Sequence, residues 1–249
     1  SGWRFGGRRF PKDKAMWVKG ILMGIFADAV TTLLINASLV YQSSGITTIL
    51  STLTPAVILT LAHFFLRDER MTGGKLAGII MAFAGAALIA MRGESGLTGA
   101  GQADPRGYWL VFGAILVGAI SVIVMRKHMI HYDPIEFTTI RLIGAAAVLL
   151  PIGLLTTGFD LSALPALGKL LLGYNTVNLC LTALLTFYML REFGATSYSL
   201  VDYATTVLAT LGGALILHEV ITAGILAGMA LILAGVTIIN HFSTSPTSS

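Results

Sequence analysis

Three polar residues recur every fourth position in the first apolar stretch of the chain: Asp28, Thr32 and Asn36. At helical spacing they share one face. Asn178, Thr182 and Thr186 repeat the pattern farther along, with Asn175 beside them. Asp202 stands about two turns into another apolar run, with Tyr198, Thr205 and Thr206 on its face and Tyr203 adjacent. Ionisable groups inside membrane helices are costly and mark paths for substrates, ions or protons. An unpaired carboxylate at mid-span costs about 3 kcal/mol or more to insert. No Lys or Arg lies in the same span core as Asp28, so its carboxylate is expected to be protonated, paired from elsewhere or facing water. That makes Asp28 a candidate proton site. Tyr203 is placed to stack on a flat or cationic ligand. The expected binding set is Asp28, Thr32, Asn36, Asn175, Asn178, Thr182, Asp202 and Tyr203.

Each feature also has a structural reading. The stripes would supply interhelical hydrogen bonds, typically about 0.6 kcal/mol each. Asp202 would pair with Arg141. Arg141 would otherwise snorkel, pair with Glu136 or steady an anionic substrate. Thr72 and Thr222 are placed as helix N-caps, with Glu69 and Glu219 near the positive ends of those helices. Pro55 is expected to bend its helix. Gly74–Gly78 and Gly224–Gly228 are GxxxG pairs, suited to internal packing or to a dimer.

Enzyme signatures are absent: there is no HExxH, GxSxG or P-loop, and Gly99-Ala100-Gly101 lacks the third glycine of a dinucleotide site. Cys180 is the single cysteine, and no Cys/His spacing suggests zinc. The expectation is therefore no enzyme, no cofactor and no metal.

These residues sit in a chain of 249 residues that is 55% hydrophobic and only 11% charged, against about 25% charged in a soluble domain. Mean hydropathy is +0.82. A lipid bilayer is the solvent such a composition requires. Eight apolar stretches are long enough to cross it: 17–40, 44–66, 74–91, 107–126, 135–157, 169–190, 194–217 and 222–240. Trp17 and Trp109 mark span starts, where aromatic belts form. The longest connection, 92–106, is Gly-rich and contains Asp104-Pro105, so it reads as a joint between halves. The Ser/Thr-rich residues 242–249 read as a disordered tail.

If the first span starts in the cytoplasm, that side collects Arg4, Arg8, Arg9, Lys12, Lys14, Lys19, Arg67, Arg70, Lys75, Arg126, Lys127 and Arg191. The outside receives Arg92, Arg106 and Lys169. Positive charge is retained inside during insertion, which fixes this orientation and leaves the C-terminus cytoplasmic. It also accounts for the basic N-terminal loop without a nucleic-acid partner. The chain opens at Ser1 rather than Met, and reads as one entered partway through.

Shifted by 150 positions, the chain matches itself without a gap. Glu69 falls on Glu219, Thr72 on Thr222, Gly74 on Gly224, Leu76-Ala77-Gly78 on Leu226-Ala227-Gly228, and Ala84-Gly85 on Ala234-Gly235. Asp28 falls on Asn178 and Thr32 on Thr182. The shift crosses an odd number of spans, so equivalent helices run in opposite directions. This is an inverted-topology repeat, whose interface near the midplane is where secondary transporters bind substrate. The expected division is 1–91 as the last three helices of a first repeat, 92–106 as the connection, and 107–241 as a complete second repeat of five. Two spans would then precede Ser1.

Leu53-Thr54-Pro55-Ala56 through Glu69, followed by Thr72, Gly78 and Gly85, resembles the end of an EamA domain. Arg141-Leu142-Ile143-Gly144-Ala145 resembles the start of that domain's second helix. The second repeat departs from the pattern at Thr205, where the first has Pro55. The resemblance, to EamA-type members of the drug/metabolite transporter superfamily, covers nearly the whole chain. It implies an all-α multi-span membrane bundle of ten helices with both termini inside. It also implies efflux of a small-molecule substrate, a metabolite or drug, by alternating access. A multi-pass protein of the bacterial inner membrane, monomer or homodimer and proton-coupled or not, is the resulting expectation.

Overall fold

Six helices among the described residues are long and apolar enough to cross a membrane. The computed structural model describes residues 13–66, 71–97, 103–129, 131–157 and 221–244, together with Arg4–Phe5, Arg8–Arg9 and positions 208, 212, 215 and 216. The expected spans 169–190 and 194–217 fall outside those residues, isolated positions aside.

The first span joins α1 (Lys14–Met23), a π-helical segment (Gly24–Val30) and α2 (Thr31–Ser38). The second is α3 (Ser44–Ser51) followed by α4 (Thr54–Phe65). Then come α5 (Gly73–Met91), α6 (Pro105–His128), α7 (Pro134–Thr157) and α8 (Ala223–Thr244). α8 runs past residue 242, where a disordered tail was expected to begin. Ahead of the first span, β1 (Arg4–Phe5) pairs antiparallel with β2 (Arg8–Arg9), within what the sequence reads as a loop.

Helix ends follow the local chemistry. The side chains of Asp13, Ser43, Thr72 and Asp104 each accept a backbone N–H in the first turn of the helix they precede. Thr222 Oγ1 accepts from Ile225 N at 3.1 Å. Thr72 and Thr222 are thus the caps their positions suggested. The second span breaks at Pro55, near the start of α4, because a proline has no N–H to donate to the preceding turn. Neighbouring hydroxyls recapture the freed carbonyls: Thr54 Oγ1 donates to Ser51 O at 2.6 Å and Thr52 Oγ1 to Ile49 O at 2.5 Å. In lipid this internal satisfaction is what makes the break tolerable.

α5 and α8 cross in close contact. A Cβ placed on Gly78 would meet the Gly235 carbonyl oxygen at 2.6 Å, and one on Gly85 would meet that of Gly228 at 2.6 Å. The pairing order makes the helices antiparallel. Under the shift of 150, Gly78 maps to Gly228 and Gly85 to Gly235, so the two contacts exchange places. Small residues let the backbones touch and maximise dispersion, the main attraction available between helices in lipid. Ala82 and Ile232, also related by the shift, are fully buried near the centre of this crossing. The expected GxxxG pairs divide differently. Gly78 and Gly228 serve this crossing, whereas Gly74 packs under the Phe242 ring and Gly224 against Arg92 and Glu94.

A larger apolar core spans α3, α4, α5, α6 and α8, and a smaller one joins α1, the end of α6 and the start of α7 around Met16, Met23, Phe137 and Ile140. The C-terminal end of the first span is tied to the second by buried polar groups. Gln42 Nε2 donates to Thr47 Oγ1 at 3.0 Å, and the Ser38 and Thr47 hydroxyls lie 3.4 Å apart.

Candidate functional site

The first span runs parallel to α7 and in contact with it. Gly20 lies against Ile140, Gly144 against Ile21, and Gly24 against the Arg141 carbonyl and Ala145. With no side chain at Gly24 or Gly144 the two backbones meet, and this sets Arg141 directly across from Asp28. Arg141 Nε lies 2.8 Å from Asp28 Oδ2. The expectation that Asp28 is protonated, paired or facing water resolves as paired, by a cation from another helix. Of the partners the sequence suggests for Arg141, Glu136 sits in the first turn of α7 and Asp202 lies outside the described residues.

The pair is only partly shielded, with side chains 25% exposed for Arg141 and 27% for Asp28. The two contacting atoms are themselves buried, and the contact is too bent for a well-formed hydrogen bond. Charge attraction dominates it. Arg141 Nη1 points to Met125 Sδ at 3.8 Å, a weak acceptor that leaves donor capacity in the guanidinium. Three residues on from Asp28, the Thr31 hydroxyl is buried with no hydrogen-bond partner among the described residues.

Asp28 lies inside the π-helical segment. Wide turns of this kind are rare and concentrate at functional sites. They also interrupt the 3.6-residue period on which the polar stripe rests. Asp28 is half-buried toward α7, whereas Thr32 and Asn36 are exposed on α2. Asn175, Asn178, Thr182, Asp202 and Tyr203 lie outside the described residues. Sequence reasoning left Arg141 out of the expected binding set. For Arg141 the signal was present, since it is an arginine within an apolar run.

A separate cavity of about 450 Å³ opens between α3, α5 and α6, lined by residues such as Leu50, Phe83, Ala86, Trp109 and Phe112. Its lining carries no charge, and the Tyr108 hydroxyl there already donates to Glu94 O at 2.6 Å. Among the described residues no cluster of His, Cys, Asp or Glu could hold a metal ion.

Comparison with known proteins agrees with this architecture. An "Uncharacterized transporter" of Archaeoglobus fulgidus is 29% identical over 224 residues, covering 89% of this chain and 76% of that protein. "Uncharacterized transporter YvbV" of Bacillus subtilis is 26% identical over 175 residues, covering 69% of this chain and 55% of that one. A protein of known crystal structure, 18% identical, matches with a TM-score of 0.55 over 95% of this chain and 81% of its own, a likeness of fold. The model of the EamA-like transporter family matches residues 2–91 and again 105–241. With that match over most of its length, this multi-pass membrane protein belongs to the EamA-like transporter family.

Proposed function

We propose that the protein is a secondary transporter of the bacterial inner membrane that exports small metabolites or drug-like compounds by alternating access, with Asp28 coupling transport to protons. The observation that carries this reading is the Asp28–Arg141 pair, two opposed charges in contact between membrane-spanning helices of a transporter-family chain. Charges at such a depth are retained where they serve a solute or proton path.

The division into two inverted repeats, 1–91 and 107–241 joined by 92–106, has two supports. The family match falls in two stretches that meet at that joint. The glycine crossing of α5 and α8 is antiparallel and maps onto itself under the shift of 150. Rocking one repeat against the other would expose the site alternately to each side.

Transport by the protein in liposomes tests the reading, against amino acids, organic anions and cationic dyes, each with and without an imposed pH gradient. At least one compound is expected to move in response to the gradient, and that response is expected to vanish in Asp28→Asn. Movement indifferent to the gradient and to Asp28→Asn would leave an uncoupled facilitator. Movement of nothing would favour a membrane protein with a structural or assembly role.

Orientation is checked separately by single cysteines in a Cys180→Ser background. An impermeant reagent added outside intact cells is expected to label residues 92–106 and spare 67–75, which leaves the C-terminus in the cytoplasm. The reverse labelling would sink this topology.

A further inference from the structure

We propose that Asp28 and Arg141 bind a proton and an organic anion together, so that the transporter carries small carboxylate- or sulfonate-type anions with one proton each. The proposal rests on the transport reading above and adds the charge class of the substrate and the sign of the coupling.

The argument is one of charge balance at a single contact. In the closed pair, Arg141 Nε and Asp28 Oδ2 are 2.8 Å apart and the site is neutral. The contacting atoms are inaccessible while the rest of each side chain is reachable, so a ligand must part the pair to take either charge. A guanidinium keeps its proton in any protein environment, whereas a carboxylate does not. Once Asp28 takes up a proton, Arg141 holds an unpaired charge within the membrane and needs another anion. Its planar fork suits a carboxylate or sulfonate, and the donor now aimed at Met125 Sδ is free to serve one.

The occupied site, with neutral Asp28, cationic Arg141 and a bound anion, again sums to zero. Proton alone leaves a net positive site, and anion alone a net negative one. Both are costly in lipid, so proton and anion favour each other's binding, and by reciprocity each raises the other's affinity by the same factor. A monovalent cation taking Asp28 would instead leave Arg141 unpaired and the site positive.

Among the described residues, the other charges on elements packed against the π-helical segment do not upset this balance. α1 brings Lys14 and Lys19, and Lys19 is bonded to the Tyr132 hydroxyl at 3.4 Å. α2 carries no charge. α6 carries Arg106 in its first turn and Arg126, Lys127 and His128 in its last. α7 adds Glu136 in its first turn. Among these described groups the direct ion pair with Asp28 belongs to Arg141. Export would then run down the anion's own gradient and take a proton out with it.

The test uses the purified protein in detergent micelles, weakly buffered near neutral pH, with p-toluenesulfonate as a probe that stays ionised throughout. Probe binding is expected to draw about one proton per site from solution, with affinity rising about tenfold for each unit fall in pH around neutrality. Asp28→Asn is expected to bind the probe with no proton uptake and no pH dependence. Arg141→Gln is expected to lose binding, and Arg141→Lys to retain linked binding at lower affinity. Proton release, binding without proton exchange, or no binding to the unaltered protein would each overturn the proposal. The micelle and liposome experiments can fail separately: transport without linked uptake removes the linkage and leaves the transporter, and linked uptake without transport does the opposite.

Discussion

Gly78→Leu is expected to remove most of the folded protein from mild-detergent extracts. The site of the new side chain is already filled: even a Cβ would lie 2.6 Å from the Gly235 carbonyl oxygen and 2.9 Å from the Ile239 side chain. Overpacking a core typically costs 1–3 kcal/mol when side chains can shift. Here the obstacle is backbone, and α5 could make room only by leaving α8, so a loss of about 3 kcal/mol or more is expected. Gly78→Ala is expected to lie between the two. Gly118→Leu in α6 is the control, since nothing stands within 4 Å of a Cβ there. Size-exclusion profiles and thermal midpoints of the three variants provide the measurement. Equal monodisperse yields for Gly78→Leu and Gly118→Leu would show that the α5–α8 contact does not hold the bundle together.

The second large effect concerns the ion pair. Removing one member of a fully buried pair destabilises by 3–5 kcal/mol, because the survivor is left uncompensated. Asp28 and Arg141 are each about a quarter exposed, so local water relieves part of this. A loss of about 2 kcal/mol is expected for either Arg141→Ala or Asp28→Ala. The double variant is expected to be less destabilised than the sum of the singles, as the orphaned charge disappears with its partner. Reversible unfolding in mixed micelles closes the cycle. Additive losses would mean that the two side chains contribute independently despite their 2.8 Å contact.

Much of this fold was legible because a bilayer simplifies the code. A run long and apolar enough to span is a helix, so the six described spans fall within a few residues of the hydropathy pattern. Caps at Thr72 and Thr222 and the break at Pro55 were legible for the same local reason, being set by neighbours within one turn. The ion pair was not. Asp28 and Arg141 meet across two helices far apart in sequence, and nothing in a single helix's period reports which neighbour it packs against. The π-helical segment also defeats period counting, so one polar stripe on paper separates in space into a half-buried Asp28 and exposed Thr32 and Asn36. The glycines were partly legible. Their spacing signalled close packing, but the crossing uses Gly78 with Gly85 and Gly228 with Gly235, two turns apart, because nearly aligned antiparallel helices touch again only after two turns. Gly74–Gly78, the pair a motif search selects, contributes one residue to it.

The same crossing bears on how the protein is made. α5 leaves the ribosome long before α8, and at translation speeds of about 5–20 residues per second the stretch between Met91 and Ala223 takes on the order of ten seconds to synthesise. Throughout that interval the glycine face of α5 lacks the partner that covers it in the folded chain. This joint therefore forms late: it waits for the arrival of α8, whose glycines complete it. A nascent chain halted before Ala223 would present to its neighbours a groove shaped for an antiparallel helix, which makes quality control of incomplete chains a matter of keeping that groove from finding the wrong partner.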